Sequence, residues 1–204
     1  MLRAKDFMLF FTLCLVVTAS TAQSVLGTGD WYKLSVDKDG VYKIPYSFLK
    51  NAGLNPDKID PRNIRLFGNK GGMLPQVNTA TRPVDLIENA IFISGEADGV
   101  FNREDFILFY GEGPDEVFYE EKRNIFRYEN NLYSEQNFYF LTVSEADGKR
   151  IETAEDQGPG FPEISSFDHY EVHELDNTNE LSSGREWYGE KFGLTKEITL
   201  TFDI

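Results

Sequence analysis

The stretch WYKLSVDKDGVYKIPYSFLKNAG, residues 31–53, carries the change of period that decides the fold. WYKLSV (31–36) and VYKI (41–44) alternate polar and apolar residues, the period of a half-buried strand, and DKDG (37–40) punctuates them. The two segments read as a hairpin, with Gly40 supplying the positive φ that its turn needs. After Pro45 the period changes. Tyr46, Phe48, Leu49 and Ala52 fall at helical spacing and Gly53 follows as a stop, so a short helix is expected there.

Outward from this stretch the strand pattern continues. IRLF (64–67) runs into the glycine-rich loop GNKGG (68–72), and AIFIS (90–94) and FILFY (106–110) flank another turn. NFYFLTV (137–143) is apolar on both faces, as a central strand must be. Residues 152–163, with two prolines and two glycines among acids, read as a linker or long loop. The expected fold is mainly β: an antiparallel, sandwich-like domain with one or two short helices.

The first 22 residues stand apart from this pattern. Arg3 and Lys5 precede the apolar run MLFFTLCLVV (8–17), and Ser20 and Ala22 supply the small residues of a cleavage site, so 1–22 reads as a secretory signal peptide. Ten apolar residues fall short of the roughly 20 that span a bilayer. Residues 23–155 then form the amino-terminal β domain, and 156–204 a linker with the start of a second β region. In EITLTFDI (197–204), Ile198, Leu200, Phe202 and Ile204 alternate with polar residues, an amphipathic strand whose covering strands are expected in a longer protein.

The single cysteine, Cys14, lies inside the signal, so the exported chain brings no thiol nucleophile and no disulfide. A 204-residue chain that is 41% hydrophobic and 14% aromatic can be held by its core instead. Its net charge is −14, and loss of Arg3, Lys5 and Asp6 makes it one unit more negative. Such a field repels nucleic acid and anionic lipid.

Four constellations invite a chemical reading. GNKGG resembles a phosphate cradle, but Met73, Leu74 and Pro75 follow it where a helix would have to open, so it reads as a strand-to-strand loop. His169 and His173 lie four apart in a segment that reads as extended, which separates them by about 13 Å and prevents them from sharing one zinc. In the loop before FILFY, Glu96, Asp98, Asn102 and Asp105 fall at positions three, five, nine and twelve of a calcium-loop template, with Gly99 at six. Ser94 stands where the first aspartate belongs and Asp105 where a glutamate does, so an acidic hairpin loop competes with calcium as the reading. In SGREWYGEKF (183–192), Gly184 and Gly189 argue against a helix, and neither glutamate meets an acid–base or nucleophilic partner. That stretch reads as architectural or interfacial.

SVLGTGDWYKLSVDKDGVYKI, GNKGGMLP, ENAIFISGEADGVFNREDFILFYGEGP, ENNLYSEQNFYFLTV and SGREWYGEKF together resemble, in this order, the amino-terminal region of the surface sortases of the type IX secretion system. These belong to the wider gingipain-like cysteine peptidase family. The resemblance makes Gly184, Arg185, Trp187 and Gly189 a family signature. It implies a protein exported through the Sec pathway, associated with the outer membrane and working beside outer-membrane components of the attachment complex. There the family cleaves the secretion signal from cargo proteins and joins them to anionic lipopolysaccharide. The residues that catalyse this belong to a later, caspase-like domain, and none of them is matched here. A stand-alone binding or adhesion module and a prodomain that inhibits such a peptidase are the alternatives.

Overall fold

The structure is a computed structural model. It describes residues 24–154 throughout and, beyond them, 165–166, 172–173, 175, 177–179, 182, 187–194 and 197–201. The expected signal peptide lies outside the described residues, as do most of the linker and the last three positions of EITLTFDI. The chain divides into two compact units, Met1–Thr153 and Ala154–Ile204.

The first unit is mainly β and sandwich-like. Nine strands are described: β1 (Tyr32–Val36), β2 (Gly40–Pro45), β3 (Ile64–Gly68), β4 (Glu88–Asn89), β5 (Phe92–Ile93), β6 (Phe106–Gly111), β7 (Glu116–Glu120), β8 (Ile125–Glu129) and β9 (Asn137–Val143). They form an antiparallel four-stranded sheet in the order β1-β9-β3-β4, a three-stranded sheet in the order β2-β6-β5, and a separate β7-β8 ribbon. NFYFLTV takes its expected central place as β9, with β1 and β3 on its two sides.

The expected hairpin of β1 and β2 does not form. β1 pairs with β9, with Leu34 opposite Tyr139, whereas β2 pairs with β6, with Ile44 opposite Ile107. The two strands therefore lie in different sheets, and DKDG crosses between them. Gly40 has no positive φ; it is an ordinary strand residue opposite Gly111. The physical reason is that each strand carries one apolar face, and those faces can bury either side by side in one sheet or against each other across two. The core uses the second arrangement: Leu34, Val36, Ile64, Leu66, Tyr139 and Leu141 of the first sheet pack in one cluster with Ile44, Ile93, Ile107 and Phe109 of the second. Each fully buried aliphatic side chain is worth about 1.5–3 kcal/mol.

The short helix forms where the period changes. α1 (Tyr46–Asn51) buries Tyr46 and Leu49 in the same core, and Gly53, at φ 97°, ends it while Leu54 N–H donates back to Leu49 O at 3.1 Å. On the outer faces, basic stems cover aromatic rings: Lys33 over Phe138 at 3.5 Å and Lys43 over Phe106 at 4.0 Å.

At the edge of the four-stranded sheet the Arg65 guanidinium grips Glu88 with two bonds, at 3.0 and 2.5 Å, and Lys149 N–H adds a third at 2.9 Å. The Arg65 bonds, ahead of the Lys149 amide, hold the Glu88 carboxyl below the usual carboxylate range. As pH falls the unfolded chain is protonated at this position before the folded chain is. The pair's contribution is thus complete above about pH 5 and drains as pH drops through the folded-state value. Glu88→Gln should flatten the acid side of a plot of melting temperature against pH, while leaving the slope near neutrality unchanged.

The second unit has few described residues. Thr178 and Tyr188 form an antiparallel bridge through two bonds of 2.8 Å. Of the strand expected at 197–204, residues 197–201 are described and lie in no strand, with Ile198 and Leu200 exposed. An alternating pattern supplies an apolar face, but a strand also needs a neighbour's backbone, and no described residue pairs with these five.

Candidate functional site

One end of the sandwich is built from three loops that touch at glycines. The Gly71 backbone lies so close to Gly113 that a β-carbon at position 71 would sit 1.8 Å from Gly113 O. Gly72 N–H donates to Pro114 O at 2.8 Å, Gly71 N–H to the Glu112 carboxylate at 3.3 Å, and Gly113 N–H to the Asp39 carboxylate at 2.7 Å. The DKDG crossing, GNKGG and the 111–115 loop are thereby tied into one hub. Asn137, at the start of β9, joins it by donating its amide to Asn69 O at 3.1 Å and Glu112 O at 3.0 Å.

Beside this hub lies a cleft of about 560 Å³ whose walls include Ile87, Tyr110 and Tyr139, with Asn69, Lys70, Asn89 and Glu112 among its polar members. Gly68 makes room for the Tyr139 ring, which an alanine β-carbon would meet at 2.4 Å. The Tyr139 hydroxyl accepts Glu112 N–H at 2.8 Å, and burial raises its pKa, so the phenol stays neutral. Lys70 is held by Glu116 at 2.8 Å, and that bond raises its pKa as well. Asn69 Oδ1 is sealed from solvent with no donor, a loss of about 1–3 kcal/mol. Apolar walls, amides and a phenol, with the Lys70 ammonium and the Glu112 carboxylate each engaged by a neighbour, make a binding cleft that supplies no activated nucleophile.

The calcium-loop residues meet only in part. Asp98 takes Val100 N–H at 2.9 Å and the Asn102 amide at 3.0 Å, and Asp105, 8% exposed, takes Asn102 N–H at 2.7 Å. Glu96 turns away to Arg150, whose Nε lies 2.7 Å from it. Among the described residues no group of three or more His, Cys, Asp or Glu side chains is placed to hold a metal. The carboxylates are already engaged by N–H donors, which is the chemistry of a self-bonded acidic loop. Millimolar calcium should therefore leave the melting midpoint where chelator leaves it. A rise that Asp98→Ala abolishes would establish calcium as the ligand instead.

Of the family signature, Gly184 and Arg185 lie outside the described residues. Trp187 is half exposed, next to the Tyr188 bridge. Gly189 passes close to Leu175, where a β-carbon would meet Leu175 O at 2.9 Å. His173 bonds Glu190 through Nε2, and His169 lies outside the described residues. GNKGG leads into no helix, as the sequence implied. Sequence reasoning missed the hub, because Asp39 comes from a segment distant from Asn137 and Tyr139; the available signal was two glycine-rich loops, GNKGG and the acid-bearing GEGPD (111–115).

Two antiparallel sheets sharing one core, a glycine hub and the cleft beside it define a mainly β, sandwich-like module. It is similar to a solved structure of dimeric latent PorU from Porphyromonas gingivalis: TM-score 0.60, 25% sequence identity, over 84% of this chain. The chain corresponds to 15% of the length of that PorU chain. No family model matches the sequence, and no curated protein does. Among the described residues no helix is long and apolar enough to cross a membrane.

Proposed function

We propose that the chain is a non-catalytic β module of a PorU-like type IX secretion sortase, exported through the Sec pathway and held at the outer membrane beside the attachment complex. The observation that carries this reading is the PorU-like fold at 25% identity, together with the ordered sequence blocks that resemble the sortase family. In this reading the module positions other parts of the machine, while a caspase-like domain cleaves cargo signals and attaches cargo to anionic lipopolysaccharide. The sequence favours a non-catalytic role because Cys14, in the signal segment, is its only thiol. The test is incubation of the purified chain with a cargo polypeptide carrying its carboxy-terminal secretion signal. The cargo should stay intact; cleavage that persists through repurification overturns the proposal.

A second reading draws on the latent state of the PorU protein in that crystal structure. In it the module keeps a peptidase domain inactive. Inhibition of an active sortase by the chain added in trans would favour it.

A further inference from the structure

We propose that β2 takes up an extended segment of another polypeptide as a further antiparallel strand, one carrying a carboxylate opposite Lys43 and an apolar side chain opposite Val41. β2 is the outer strand of the three-stranded sheet and pairs, among the described residues, only with β6. The ladder fixes which of its backbone groups turn outward. Ser94 N–H donates to Phe106 O at 3.0 Å, so Phe106 faces β5 and, by alternation, Ile107, Phe109 and Gly111 face β2. Their partners Ile44, Tyr42 and Gly40 are thereby used inside the sheet. The N–H and C=O groups of Val41 and Lys43 point out from the edge, where they are a template for a new strand.

Side chains decide what fits there. Lys43 is the only charged residue in β2, β5 and β6. The solvent face of this sheet is otherwise apolar: Val41, opposite Tyr110, is 71% exposed, and Phe92, opposite Leu108, is 47% exposed. The other sheet shields its outer rings, with Arg65 over Phe67 at 4.9 Å, Lys33 over Phe138, and Trp31 edge-on to Phe67 at 5.3 Å. Its edge strand β1 exposes only Lys33 and Ser35, which offer a newcomer no apolar footing. A lysine blunts an edge by standing off it. Lys43 lies instead along its own sheet, 4.0 Å over the Phe106 ring, and pairs with no described carboxylate. An antiparallel newcomer sets residues two apart opposite Lys43 and then Val41 along its own direction. The matching pattern is therefore Asp or Glu, any residue, then an apolar one.

A random decapeptide library displayed on phage and panned against the purified chain tests this. Enriched sequences should carry Asp or Glu two positions before an apolar residue. A synthetic peptide of that pattern, followed by fluorescence anisotropy, should bind about tenfold more weakly to Val41→Pro, which removes an outward N–H and no bond to β6. Lys43→Glu should weaken it several-fold, and a lysine in place of the peptide's acid should bring most of that back. Circular dichroism checks both folds, and if Val41→Pro unfolds, the Lys43→Glu arm with the reversed peptide decides. Failure to enrich any sequence, enrichment without the acid, or a reversed peptide that recovers nothing overturns the proposal. Dimers that Val41→Pro separates, or phosphatidylcholine vesicles that displace the peptide, overturn it too, because the surface would then belong to a second copy or to lipid.

Discussion

Gly71→Ala should lower stability by about 3 kcal/mol or more, enough to unfold a marginal domain. The added β-carbon would stand 1.8 Å from Gly113 O and 3.5 Å from Asp115 O. Both are backbone atoms, so no side chain can swing aside. Relief requires the 111–115 loop to move, and that loop is bonded to Asp39 on the crossing between sheets and to Asn137 at the head of β9. The damage should spread through the hub, so amide exchange ought to accelerate in β1, β6 and β9 together. Gly40→Ala is the control. Position 40 has ordinary strand φ and open space around its β-carbon, so this substitution should be neutral or slightly stabilising, the opposite of what a hairpin turn glycine would give. Chemical denaturation of the two variants measures both effects.

Arg150→Ala should cost about 2–4 kcal/mol. The Arg150 side chain, 23% exposed, donates to four carbonyls, those of Pro61 and Arg62 at 2.9 Å, Lys149 at 3.1 Å and Ile64 at 3.2 Å, and to Glu96 at 2.7 Å. It staples the approach to β3, the calcium-like loop and the segment after β9. Truncation leaves several partly buried acceptors and a carboxylate without their donor. Arg150→Lys keeps the charge but replaces a planar fork with a single ammonium, so it should recover less than half of the loss. Equal stability of the lysine variant and the parent would show that charge alone matters at this site.

β1, β2, β3, β5, β6 and β9 were legible from their apolar patterning, whereas β7 and β8 were not read, and the alternating EITLTFDI lies in no strand over its described residues, 197–201. α1 was legible for a similar reason: the period changes at Pro45 and a glycine at φ 97° closes the helix. What alternation cannot carry is which neighbour a strand takes. Val36 and Ile44 point into one core whether DKDG makes a hairpin or crosses between sheets, and only long-range contacts distinguish the two. The deciding bond, Asp39 with Gly113 N–H, joins residues 74 positions apart. The hub escaped the sequence reading for the same reason. Its chemistry is mostly backbone contact at Gly71, Gly72 and Gly113, and a glycine announces permissiveness without naming what will approach it. The acidic loop was legible as a cluster; on the calcium-loop template Glu96 takes position three, and in the structure its carboxylate accepts a bond from Arg150, a partner 54 positions away that no local template names.

The central claim, that this module serves a PorU-like sortase without performing its chemistry, is tested most directly by complementation in trans. A PorU lacking the structurally equivalent region would be incubated with signal-bearing cargo, alone and with the purified chain. The account predicts that the chain by itself leaves cargo intact and that adding it to the shortened enzyme restores signal removal. Cleavage by the chain alone, or a shortened enzyme that works as well without the chain as with it, would contradict the account.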